Sequence, residues 1–160
     1  MGQFEIMFAA RELPDETVDK IHENRDVSTE TRFGLTMITV NVAGDAPLAA
    51  ARVAVGSMES IDGVHIDRCC ETLVDITDIA DRAGVPVEVV SQWIQGNSTR
   101  TDAPFPAPDN LVAGGVWAWG TVNHWLHAAG EEVGSTRFPS YLDVVEINEW
   151  LASRPTSTTK

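Results

Sequence analysis

Residues 2–9 (GQFEIMFA) alternate apolar and polar side chains, the period of a strand with one buried face. The pattern then turns helical. Pro14 fits a first turn, Asp15 and Glu16 suit the positive N-terminal end, and Val18 and Ile21 share one face of residues 14–24. Residues 32–35 and 36–43 (TMITVNVA) predict a strand pair turned near Gly34, with β-branched residues along the second strand and Gly44-Asp45 as its stop. Pro47 opens a second helix in which Leu48, Ala51, Val55 and Met58 recur every three to four residues, until Asp62-Gly63 closes it. Val64, Ile66 and Cys69 predict a last strand.

Strand, helix, strand, strand, helix, strand is the order of a ferredoxin-like βαββαβ unit, a sheet with two helices on one face. Residues 1–71 are therefore expected to form one α+β domain. From Asp75 onward the elements become short, helical and punctuated by Gly and Pro, which puts a boundary near residues 71–75 and a second domain over 72–154. Within it, residues 97–110 (NSTRTDAPFPAPDN) read as a loop, with Pro104, Pro106 and Pro108 presenting Phe105 on an extended segment. Residues 140–153 (SYLDVVEINEWLAS) predict a final helix started by a Ser140/Asp143 pair, with Leu142, Val144 or Val145, Ile147 and Leu151 on one side. It is expected to pack on the second domain or to serve as a partner surface, and residues 155–160 read as a flexible tail.

Residues 75–96 (DITDIADRAGVPVEVVSQWIQG) carry the most information. A helix-turn-helix needs a small residue where its helices cross, a glycine at a left-handed turn, and apolar residues on each inner face. Ala80 supplies the first and Gly84 the second. Ile79, Ala83, Val85, Val90 and Trp93 supply the inner faces, and Asp75 with Asp78 forms a variant capping pair.

With the later FPAP and VWAWGTVNHWL segments, this stretch resembles the excisionase/MerR-like family over residues 73–129. The resemblance implies a winged helix-turn-helix with a hairpin wing over 111–119, turned at Gly114-Gly115, and a closing helix over 121–129 with Val122, Trp125 and Leu126 inward. It implies double-stranded DNA as the partner. The contacting residues would be Arg82, Val87, Glu88, Ser91, Gln92, Gln95, Asn97 and Arg100, with Val116, Trp117 and Ala118 in the wing. Ser91, Gln92 and Gln95 have the chemistry to read base edges. Where family members carry basic residues, this helix face has no Lys or Arg, and the wing has Val116 and Ala118.

Charge sharpens that departure. The chain of 160 residues has a formal net charge of −13, and both halves are acidic, whereas phosphate neutralisation supplies most of a DNA-binding protein's affinity. The adjacent Cys69 and Cys70 have no zinc-ligand spacing and read as small apolar residues. His124 and His127 share a helical face at i and i+3 but lack further ligands nearby, so no metal or cofactor is expected. Most tryptophans read as core, with Trp117 or Trp119 as the candidates for exposure. No nucleophile elbow, phosphate loop or zincin signature is present, so the chain is not expected to be an enzyme. No membrane-length apolar run or basic-then-apolar leader occurs, and the expected location is the cytoplasm.

Two functions follow. The first is a DNA-binding transcriptional or excisionase-type regulator of bacterial or phage type. The second is an acidic interaction module with a degenerate helix-turn-helix that binds or antagonises a regulatory protein. Its N-terminal sheet is compatible with ligand sensing or with edge-to-edge pairing in a homodimer.

Overall fold

The computed structural model describes residues 2–11, 13–24, 26–96, 103–131 and 134–155. The fold is mixed α+β with an antiparallel sheet. Its elements are β1 (Gly2–Arg11), α1 (Asp15–His22), β2 (Val27–Arg32), β3 (Leu35–Gly44), α2 (Pro47–Glu59), β4 (Arg68–Cys70), β5 (Leu73–Val74), α3 (Ile76–Ala83), α4 (Val87–Ile94), β6 (Trp117–Ala118), α5 (Trp119–Ala128) and α6 (Tyr141–Ser153). Among the described residues no helix is long and apolar enough to cross a membrane.

The chain divides into two compact units: Met1–Cys70 together with Leu142–Lys160, and Glu71–Tyr141. The first contains a four-stranded sheet in the order β2-β3-β1-β4. The alternation in β1 is realised there. Phe4, Ile6, Phe8 and Ala10 lie opposite Val42, Val40, Ile38 and Thr36 of β3, and this face forms a core with Ile21 of α1 and Ala51, Val55 and Met58 of α2. Two expectations shift. The strand pair begins at Val27, because the polar-looking VSTETR pairs fully with β3 around a two-residue turn at Phe33-Gly34. The last strand is only Arg68–Cys70. Val64 and Ile66 are buried but lie outside it.

The largest correction concerns α6, expected in a 72–154 domain. It belongs instead to the first unit, where Val144, Ile147 and Leu151 join the core around Phe8, Ile66 and Cys69. Burial of each such side chain is worth roughly 1.5–3 kcal/mol. Polar contacts fix the docking. Cys69 N donates to Asn148 Oδ1 at 2.7 Å, and Asn148 Nδ2 donates to Cys69 O at 3.0 Å. A carboxamide thus satisfies both backbone groups on the outer edge of β4, as a neighbouring strand would. Ile66 is held similarly: its N–H donates to Glu59 Oε2 at 2.8 Å, and Arg154 reaches both Glu59 Oε1 at 2.8 Å and Ile66 O at 3.3 Å.

Removing the carboxamide strands two part-buried groups. Asn148→Ala is expected to destabilise the first unit by about 1–3 kcal/mol, measured by urea denaturation; a loss within error would show that water replaces the amide without cost.

Candidate functional site: the α3–α4 turn of the second unit

The second unit has its own core, built from Val74, Ile79, Ala80, Val90, Trp93, Phe105, Trp117, Trp119, Val122, Trp125 and Leu126. The local signals in residues 75–96 are all used. Asp78 N donates to Asp75 Oδ1 at 2.9 Å and Asp75 N to Asp78 Oδ2 at 3.1 Å, a reciprocal capping box at the start of α3. At its end Gly84 adopts φ 71° and ψ 33°. Gly84 N–H returns to Asp81 O at 3.3 Å and Val85 N–H to Ala80 O at 3.0 Å, a Schellman closure. Pro86, extended at φ −66°, then starts α4.

This turn sets which face of α4 is free. Val90 and Trp93 are buried, while Val87, Glu88, Gln92 and Gln95 are exposed and Ser91 is half-buried. Five of the expected contact residues therefore share one accessible side of a short helix. Arg82 is also exposed, but its guanidinium lies 5.1 Å from the centroid of the Trp119 ring, a cation–π placement. Asn97 and Arg100 lie outside the described residues.

The wing differs from expectation. Val116 and Asn110 form an isolated bridge closed by residues 111–115, which include a 3₁₀ turn at Val112–Gly114, so the chain does not turn as a two-residue hairpin at Gly114-Gly115. β6 pairs instead with β5, Trp117 opposite Val74 and Ala118 opposite Leu73. Trp117, Ala118 and Trp119 are all buried, which withdraws the first two as contact residues and both tryptophans as exposed platforms. The loop tip presents Leu111 and Val112, 76% and 62% exposed.

Aromatic packing is the reason. Phe105 is not presented outward. It is buried against Trp125 at 4.9 Å, Trp117 at 6.1 Å and Trp93 at 6.4 Å between ring centroids. The proline-rich loop accepts both indole protons, Trp117 Nε1 donating to Pro106 O at 2.9 Å and Trp125 Nε1 to Ala103 O at 3.1 Å. α5 starts at Trp119, two residues before the expected position, and a Cβ at Gly120 would collide with the Pro139 carbonyl. His124 and His127 are exposed on α5, and among the described residues no group of His, Cys, Asp or Glu is arranged to hold a metal.

Electrostatics oppose an anionic partner. Residues 75–96 carry Asp75, Asp78, Asp81 and Glu88 against Arg82 alone, and Glu88 occupies the first turn of α4, where the helix N-terminus would otherwise favour a phosphate. One carboxyl went unnoticed in the sequence. Burial, reinforced by Asp109, raises the Glu71 pKa, and Asp109 itself accepts from Ala118 N at 2.6 Å beside β6. Only the folded pairing of β5 with β6 creates that neighbourhood. Comparison with protein-family profiles, curated proteins and solved structures finds no match.

Two outcomes are expected. A Cβ at position 84 meets nothing within 4 Å, so Gly84→Ala tests backbone strain alone and should cost about 1–2 kcal/mol in urea denaturation, with Gly84→Asn costing less. A carboxyl with a raised folded-state pKa contributes stability below its unfolded pKa and loses it as pH rises through the folded one. Glu71→Gln should therefore raise the melting temperature near neutral pH, and its advantage over the natural chain should vanish once the pH falls below the ordinary carboxylate range. An advantage independent of pH would exclude the burial of a charge as its cause.

Proposed function

We propose that the chain is a regulatory protein that reads double-stranded DNA through its helix-turn-helix, with a ferredoxin-like first unit and a winged second unit of excisionase/MerR-like type. The capped and Schellman-closed turn, which leaves Val87, Glu88, Gln92 and Gln95 on one open side of α4, carries this reading. Gln92 and Gln95 supply carboxamides that pair with the major-groove edge of adenine, and Ser91 adds a hydroxyl. Backbone affinity comes from few cations, Arg82 and Arg100. No catalytic role, metal or cofactor is assigned, and the cytoplasm is the compartment proposed.

A second reading is favoured by one observation: the wing tip carries Leu111 and Val112 exposed, in place of cations. Such a tip suits a protein surface, and the acidic chain would then engage a basic regulatory partner.

Fluorescence anisotropy with random and genomic duplexes at low salt separates the two. Duplex binding that weakens with salt is expected, with Gln92→Ala relaxing base preference by about 1–3 kcal/mol at one position and Arg100→Ala weakening all duplexes alike. Absence of binding at every salt concentration would defeat the DNA reading in favour of the protein-binding one.

A further inference from the structure

We propose that the outer edge of β2 is a homodimer interface, in which two copies join their four-stranded sheets antiparallel about an axis through Thr31. The inference is independent of the function assigned to the second unit. It starts from a difference between the two edges of the sheet. At β4, Asn148 occupies both outward groups of Cys69, and just before the strand Glu59 with Arg154 occupies the backbone groups of Ile66. At β2, six residues long, no such cover exists among the described residues.

Register identifies the free groups. Arg32 and Leu35 flank the two-residue turn, and Asn41 N donates to Asp26 O at 2.8 Å, so the even-numbered residues of β2 bond inward to β3. The N–H and C=O groups of Val27, Thr29 and Thr31 consequently point away from the sheet. Their side chains take the helix-bearing face: Val27 is buried, Thr29 Oγ1 lies 2.7 Å from His22 Nε2, and Thr31 Oγ1 lies 2.9 Å from Thr36 Oγ1. Ser28, Glu30 and Arg32 occupy the opposite face.

Charge then selects the occupant. Edge strands are commonly protected by charges that repel a second strand. Glu30 and Arg32 have opposite signs on one face and here pair with each other at 2.8 Å, largely in water, where such a pair contributes little. A second β2 aligned about Thr31 sets Glu30 across from Arg32 of the second copy, and Arg32 across from its Glu30, in the non-hydrogen-bonded positions where side chains approach most closely. Alignment about Glu30 would oppose two glutamates, and alignment about Thr29 would set Glu30 against a serine. Only the Thr31 register is complementary at both charges. It also places Phe33, fully exposed at φ 54°, across from Thr29 of the second copy. A phenyl side chain in left-handed backbone at a hairpin tip is otherwise a costly choice, since Asn or Gly relieves it.

A single strand pair falls at the weak end of protein interfaces. Sedimentation of the full chain from micromolar to sub-millimolar concentration should show a mass rising toward twice 17.4 kDa. Thr31→Pro deletes an outward N–H while leaving the bonds to β3, and should yield monomer. Glu30→Arg or Arg32→Glu alone should weaken association by about tenfold or more, and the two reversals together should restore it. These charged side chains are exposed, so the reversals remain informative even if the proline variant fails to fold. A monomer at all concentrations, a dimer indifferent to the single reversals, or a double reversal that fails to restore association would each overturn the proposal.

Discussion

The first unit depends on a contact between two segments separated by the whole second unit: Asn148 of α6 holding the outward backbone groups of Cys69 in β4. With only three residues paired to β1, β4 would otherwise leave polar groups facing an apolar helix, at about 1–3 kcal/mol for each one unsatisfied. Residues 71–141 are thus an insertion between a strand and the helix that completes it. Closing a loop of that length costs on the order of 4 kcal/mol beyond a constant if the insertion is treated as flexible chain. Burial of Val144, Ile147 and Leu151, at roughly 1.5–3 kcal/mol each, is large enough to offset it, and the folded insertion lowers the cost further.

This explains which parts of the fold could be read from the sequence. The α3–α4 turn was legible because its causes are local: the capping pair, Gly84 in left-handed backbone, and Ala80 buried on the inner side of α3. The alternation in β1 and the period of α2 were legible for the same reason. The ownership of α6 was not. Its apolar stripe specifies burial but not against what, and the deciding partner of Asn148 is 79 residues away. β2 escaped because VSTETR lacks apolar alternation: of its six residues only Val27 is buried, and its strand character comes from pairing with β3.

The candidate site divides along the same line. Exposure of Val87, Glu88, Gln92 and Gln95 followed from helical geometry once the turn was recognised. The fate of Phe105, Trp117 and Ala118 did not, because it depends on an aromatic cluster drawn from α4, the proline loop, β6 and α5. The alternation of proline with other residues suggested a segment that presents Phe105 outward, yet its carbonyls are engaged by Trp117 and Trp125 and Phe105 is buried. Likewise Arg82 was legible as a cation, whereas its placement over Trp119 required the folded unit.

The same cluster determines what kind of recognition α4 can support. Trp93 anchors the helix to Phe105 and Trp125, so its outer side chains project from a fixed backbone and the ordering cost of binding falls on those side chains alone. What the platform lacks is charge. Each phosphate contact adds about 0.9 to the logarithmic salt slope of duplex binding, so a surface with few cations gains little sequence-independent affinity. A duplex held by such a helix must be held through its base edges and its shape. On the proposed DNA reading, that makes for weak non-specific binding, and the burden of recognition would fall on Gln92 and Gln95 rather than on the backbone contacts that carry most DNA-binding domains.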